Sequence, residues 1–273
     1  MEGTHRILVI GAHPDDADTS CAGLLSKLID AGWEAKLISV TDGGAGTYRT
    51  DLSREELAAV RRKEAAASGA LIGAEYQVWD YPDARLQVTL EAREQVIRCI
   101  RAFAPEVVLT NRPNDYHADH RNTSLLVQDA SYLLTVPSLC SDVPAMEDAP
   151  AILFWSDGFQ KPYPHQADIL VPFGAEREEL RVRMASCHEC QYFDWMYWPH
   201  SMHKREWTRE AQIEDLRERF FRSAAKERKR LDTKIRERFG TEAGKVTYVE
   251  AYEISEYGEA PSAAFLAVAE TLE

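Results

Sequence analysis

Arg6-Ile7-Leu8-Val9-Ile10-Gly11-Ala12-His13-Pro14-Asp15-Asp16 is the stretch that decides how the rest of the chain is read. Residues 7–10 are apolar and mostly β-branched, and turn-forming residues follow them, which predicts a buried strand. Over 19–31, Leu24, Leu25, Leu28 and Ile29 recur at helical spacing, with Gly32 as a C-terminal stop. Residues 35–40 form a second apolar run and close a βαβ unit, which is expected to be right-handed and parallel.

The alternation continues to about residue 135. Ser53 and Glu56 have the spacing of a capping box, opening a helix over Arg54–Leu71. A short strand at 77–79, a helix over Leu90–Phe103 ending before Pro105, and a strand over Val107–Thr110 follow, then a helix to about 134. Strands alternating with helices predict an α/β fold with a mostly parallel sheet covered on both faces. Four polar loops, at 13–16, 41–48, 80–85 and 111–117, each follow a strand. Ligands of open α/β sheets bind beyond the carboxyl ends of the strands, so these loops are expected to share one rim. Past residue 136 the pattern is less regular. Three prolines at 137–150 suggest an exposed connection. Strands are expected at 151–155, 167–171 and 246–254, a helix at 176–189, and a charge-rich helical stretch at 209–239. With no repeat or linker, the 273 residues are read as a single domain, 192–273 being a C-terminal helical and strand elaboration.

Composition narrows the function. A net charge of −13 argues against a nucleic-acid partner, which needs a positive face, and favours a small-molecule substrate. No window reaches the roughly 20 apolar residues of a membrane span, and the N-terminus lacks a signal-peptide core. Five cysteines without a framework suggest a reducing, cytoplasmic setting. Composition leaves open whether the chain forms a homo-oligomer.

The chemistry lies in two clusters, His13-Pro14-Asp15-Asp16 and His117-Ala118-Asp119-His120. Imidazole and carboxylate are the usual ligands of a catalytic zinc ion, which keeps one position open for water. A histidine and an aspartate from the first loop, with a histidine from the second, would complete such a set. The other aspartate would be free to act as a base as water attacks a carbonyl. The other histidine of 117–120 would donate to the oxyanion. Asp119 could orient a neighbouring imidazole. The bland alternative is an ordinary turn with an aspartate capping the next helix.

These clusters, with Gly23, Arg121, Thr41-Asp42-Gly43-Gly44, Arg61, Glu64, Asp83 and His188-Glu189-Cys190-Gln191, resemble the PIG-L/LmbE-like family of zinc-dependent de-N-acetylases over residues 6–191. The resemblance implies a Rossmann-like sheet and removal of an N-acetyl group from an amino sugar of the N-acetylglucosamine type by attack of zinc-bound water. It implies His13, Asp16 and His120 as zinc ligands, Asp15 as general base, and His117 as stabiliser of the tetrahedral intermediate. Arg61 and Asp83 would contact substrate. Fe2+ or Co2+ are alternatives in the same ligand set. The chain departs from the family pattern at Ala17-Asp18, where a glutamate directly follows the paired aspartates, and at Ala118, where a proline is common. Asp115 stands where mycothiol-pathway members carry a tyrosine, with Tyr116 beside it, which suggests a different substrate.

Other motifs weigh less. Gly11 after a strand lacks the glycine pattern of a dinucleotide site, and Asp15-Asp16 would repel a pyrophosphate. Cys187 and Cys190 have Cys-x-x-Cys spacing but no second pair, so they are read as structural. His200 and His203 sit in an aromatic segment, 192–207, that would serve as a lid, a sugar-stacking wall or ordinary packing. The charge run 217–238 reads as a solvated helix face. Two competing functions are a non-catalytic metal- or sugar-binding protein on the same fold and a metal-dependent phosphoesterase.

Overall fold

Every residue of β1 (Arg6–Gly11) after Arg6 is buried, and its side chains alternate between two cores. Ile7 and Val9 pack with Leu24, Leu28 and Leu37, while Leu8 and Ile10 pack with Val96, Ile97, Leu126 and Val127. A strand covered on both faces must be apolar throughout, which is why the run has no polar alternation. The computed structural model describes residues 4–273.

Beside β1 lie β2 (Glu34–Thr41), β3 (Glu75–Tyr81), β4 (Val107–Thr110) and β5 (Ala151–Trp155), all parallel. β6 (Ile169–Phe173) and β7 (Tyr248–Ile254) complete a seven-stranded sheet of order β3-β2-β1-β4-β5-β7-β6. β7 runs antiparallel to both of its neighbours. The result is a Rossmann-like α/β fold with a mostly parallel sheet.

The helix expected over 19–31 is in fact two, α1 (Asp16–Ser20) and α2 (Ala22–Asp30). Cys21 leaves helical geometry between them. The break gives α2 its own N-terminus, where Gly23 and Leu24 each donate a backbone N–H, at 2.8 Å, to the Glu250 carboxylate of β7. Next come α3 (Arg54–Leu71), whose Ser53–Glu56 capping box is formed, α4 (Leu90–Phe103) and α5 (Ala118–Leu133). The helix expected at 176–189 ends earlier, as α6 (Ala175–Ser186), and a short α7 (Glu189–Tyr192) restarts after His188. The charged stretch also divides, at Leu231, into α8 (Arg209–Arg230) and α9 (Asp232–Phe239). The run 217–238 is more than a solvated face, because Ala224 of α8 and Ile235 of α9 are buried. α10 (Ala263–Ala269) follows β7. Near it, buried Lys27 of α2 donates from Nζ to the carbonyls of Pro172, Ala269 and Thr271, at 2.9, 3.1 and 2.6 Å. Among the described residues no helix is long and apolar enough to cross a membrane.

Candidate metal centre

β1 and β4 are adjacent, but the chain leaves β1 toward β2 on one side and β4 toward β5 on the other. That reversal opens a crevice at their carboxyl ends, and the two histidine clusters meet there. The turn after β1 is tight, with Asp15 and Asp16 both donating their backbone N–H to the His13 carbonyl. Asp16 folds its side chain back over Gly11, where a Cβ would stand 2.7 Å from its own Cβ, so only glycine fits. Asp16 Oδ2 accepts from the N–H groups of Ala12 and His13, at 2.7 and 3.1 Å, and from Asn111 Nδ2 at 3.3 Å. That leaves Oδ1 to face the histidines.

His13 Nδ1 lies 3.0 Å from His120 Nε2, and Asp16 Oδ1 lies 3.9 Å and 3.6 Å from the same two atoms. Ligands about 2.1 Å from a tetrahedral ion would be about 3.4 Å apart, so this triangle fits a divalent ion with a fourth position open. The far nitrogen of each histidine meets a carboxylate. His13 Nε2 is 3.2 Å from Asp83 Oδ1 and 3.5 Å from Asp119 Oδ2, and His120 Nδ1 is 2.9 Å from Asp115 Oδ1. Such outer contacts fix the ring and raise its basicity toward a metal. His117 also brings a nitrogen within 4.8 Å of those of His13 and His120, as do Asp83 and Asp119 around His13. In the trio of His13, Asp16 and His120 every separation between ligand atoms is 3.9 Å or less.

The charge balance also favours a cation. Asp15, Asp16, Asp83, Asp115 and Asp119 surround three imidazoles and Arg61. Burial alone would depress the His13 pKa, but Asp119, Asp83 and Asp16 outweigh it and push it up to about 10. A metal ion would take the place of that proton.

Asp15 is not the free carboxylate expected from the sequence. Arg61 Nη2 donates to its Oδ1 at 2.7 Å, and the Tyr192 hydroxyl donates to its Oδ2 at 3.2 Å. Burial raises its pKa, but the charges of Arg61, His188 and His13 more than offset this and hold it below the usual carboxylate range. It caps no backbone group of α1. His117 is the N-cap of α5 and accepts the Asp119 N–H on Nδ1 at 3.2 Å. That contact fixes the neutral tautomer with the proton on Nε2. Burial, then His13 and His120, also lowers its pKa.

Arg61 and Asp83 line the cavity, but both are buried and turned onto Asp15 and His13. Asp83 Oδ2 also accepts the Ala45 N–H at 3.0 Å, and its pKa, raised by burial, is brought down to about 2 mainly by His13. Asp119 accepts from Ala84 and Leu86 as well, at 2.7 and 3.2 Å, tying the loop after β3 to α5. All four expected loops meet at one cavity of about 550 Å3. The aromatic segment is divided in role. Tyr192, Phe193 and Tyr197 pack with Leu216, while Trp195 and Met196 line the cavity. Cys190 donates to Glu64 through both its N–H and its thiol, at 2.8 Å each, a structural contact beneath Arg61. Ser156 and Asp157 are cavity residues that the sequence did not single out; Asp115 was marked only as a departure from the family pattern and Tyr192 only as the start of the aromatic segment.

Residues 8–131 match the GlcNAc-PI de-N-acetylase (PIG-L) family model. The diacetylchitobiose deacetylase of Thermococcus kodakarensis is 30% identical over 200 residues, covering 71% of this chain and 73% of that protein. The chain belongs to the PIG-L/LmbE-like family of de-N-acetylases. The N,N'-diacetylchitobiose deacetylase of Pyrococcus horikoshii superposes with a TM-score of 0.68 at 24% identity, covering 94% of this chain and 85% of that one. GalB, the 4-carboxy-2-hydroxymuconate hydratase of Pseudomonas putida, superposes with 0.72 at 17%, covering 92% and 96%. A hydratase on the same scaffold shows that the fold alone does not choose the reaction. Within the family, the site residues have to make that choice.

Proposed function

We propose that the protein is a metal-dependent hydrolase that removes the N-acetyl group of an amino-sugar substrate, with His13, Asp16 and His120 holding a zinc ion. The observation that carries this is the triangle of ligand atoms 3.0, 3.6 and 3.9 Å apart, with both histidines backed by carboxylates. The kinship with a diacetylchitobiose deacetylase supports the substrate class. A divalent ion supplies Lewis acidity there, acidifying water and polarising the amide carbonyl. Asp15 takes the proton of the attacking water and returns it to the departing amine, so that acetate and the free amino sugar leave. Its depressed pKa keeps it ionised, and Arg61 and Tyr192 fix which lone pair faces the water. His117, neutral with its proton on Nε2, donates toward the developing oxyanion. Arg61 and Asp83 act mainly by holding Asp15 and His13, with only their remaining surface offered to substrate.

The test is amine release from N-acetylglucosamine, N-acetylgalactosamine and N,N'-diacetylchitobiose, with and without chelator. Release that stops on chelation and returns with Zn2+ is expected. Stoichiometric metal binding without amine from any of them would overturn the proposal in favour of a binding protein.

A further inference from the structure

One helical turn along α1 from Asp15 lies Asp18, the centre of a polar cluster that plays no part in the chemistry above. Asp18, Ser68 and His188 are all fully buried, and none of the three lines the cavity. His188 Nε2 lies 3.1 Å from Asp18 Oδ1, and the Ser68 hydroxyl donates to the same oxygen. Asp18 stands where the chain departs from the family pattern, and His188 opens the motif His188-Glu189-Cys190-Gln191.

The cluster joins the same three elements that hold Asp15. α1 has Asp15 as its N-cap and Asp18 in its first turn. α3 carries Arg61 and, two turns on, Ser68. α7 carries Tyr192 and has His188 as its N-cap. The His188 carbonyl accepts the backbone N–H groups of Gln191 and Tyr192, at 3.1 and 2.9 Å, and Gln191 in turn accepts from Arg61 Nη1 at 3.4 Å. Each element thus gives one group to the contacts around Asp15 and one to the contacts behind it.

The cluster is costly to bury. Asp18 Oδ2 and His188 Nδ1 have no hydrogen-bond partner among the described residues. An apolar filling of the same shape would avoid that cost. What the polar pair supplies instead is direction. An imidazole held on a carboxylate sets where the first turn of α7 sits against α1, and with it the Tyr192 hydroxyl on Asp15 Oδ2.

We propose that His188, acting through Asp18, is a positioning residue for the base: it holds α7 against α1 so that Tyr192 and Arg61 keep Asp15 aimed at the attacking water. This rests on the deacetylase proposal. The test compares wild type, His188→Leu and His188→Gln by kcat and KM for amine release from whichever of the three N-acetylated sugars turns over fastest. Bound metal and thermal melts are measured on the same preparations. Leucine removes the contact with Asp18, whereas glutamine keeps an N–H at the reach of Nε2.

His188→Leu should lower kcat about 10–100-fold, with KM within twofold and metal content unchanged. In the Asp15→Asn background it should add no further loss, because no base is left to aim. His188→Gln should recover most of the lost rate. Ser68→Ala, which takes the hydroxyl from Asp18, should show the same pattern with a smaller fall, and it carries the test where His188→Leu loses its fold. Unchanged kcat in the folded variants, a loss that tracks metal content, or a full further loss in the Asp15→Asn background would overturn the inference and leave the deacetylase proposal standing. A glutamine variant no faster than the leucine one would overturn it as well. Amine release from none of the sugars by the wild type would overturn both.

Discussion

Asp15 and Asp16 are adjacent and chemically identical, and they differ only in what each oxygen touches. Asp16 has one oxygen filled by three N–H donors and the other left toward His13 and His120. Asp15 has both oxygens held, Oδ1 by Arg61 and Oδ2 by Tyr192. Asp15→Asn is therefore expected to keep its metal while turnover falls by about 10^2–10^4; metal analysis beside an amine-release assay checks both halves. Asp115→Asn removes a charged partner from His120 Nδ1. Metal affinity should then weaken roughly 10–100-fold with the fold intact, measured by competition with a chromogenic chelator. The candidate ligands were legible in the sequence because His13-Pro14-Asp15-Asp16 and His117–His120 are local patterns. Tyr192 was not, since it reaches Asp15 across 177 residues. Asp115 was noticed only as a departure from a family motif, because nothing in its spacing tells that it turns toward His120 rather than solvent.

Among the elements, the loop after β5 carries a test of its own. His165 is buried there, with Nε2 3.2 Å from the Phe154 carbonyl. Burial depresses its pKa to about 4; the Phe154 contact partly offsets this and the charge of Arg112 adds to it. Between pH 6.5 and 4 the unfolded chain binds a proton that the folded one refuses, so stability falls as pH falls through that window. The full difference is about 3 kcal/mol. His165→Gln should flatten that slope, read from urea midpoints of metal-free protein at pH 6.5 and 4. On the far side of the site, Gly43 has φ +66°, and a Cβ there would meet Arg61 Nε at 2.8 Å and Pro14 Cδ at 2.9 Å. Gly43→Ala should cost activity by moving Arg61 off Asp15, with metal content unchanged, as parallel assay and metal analysis would show. The regular strands and helices were legible because a two-sided sheet demands apolar strands and periodic helices. The breaks at Cys21, Cys187 and Leu231 were not, because no proline or glycine occupies those positions; the one at Cys21 instead serves a distant contact. At Cys21 that contact is the Glu250 carboxylate.

At the scale of the molecule, the last strand is stitched to the first βα unit. Glu250 of β7 accepts from Gly23, Leu24 and the Tyr252 hydroxyl, all buried. Glu250→Ala strands those donors and should destabilise the protein by roughly 2–4 kcal/mol, seen in the denaturant midpoint, with Glu250→Gln losing less. Nothing in 246–254 taken alone says that this strand lies inside the sheet, because an antiparallel insertion between two earlier strands leaves no trace in spacing. Its place has a consequence for how the protein is made. Among the described residues β6 pairs only with β7, so while the ribosome is still working through the α8 region, β6 has no partner and β5 shows an open edge. The nascent chain therefore carries two exposed strand edges until its final stretch emerges, and products halted short of β7 would be substrates for chaperones and proteases rather than weakened enzymes.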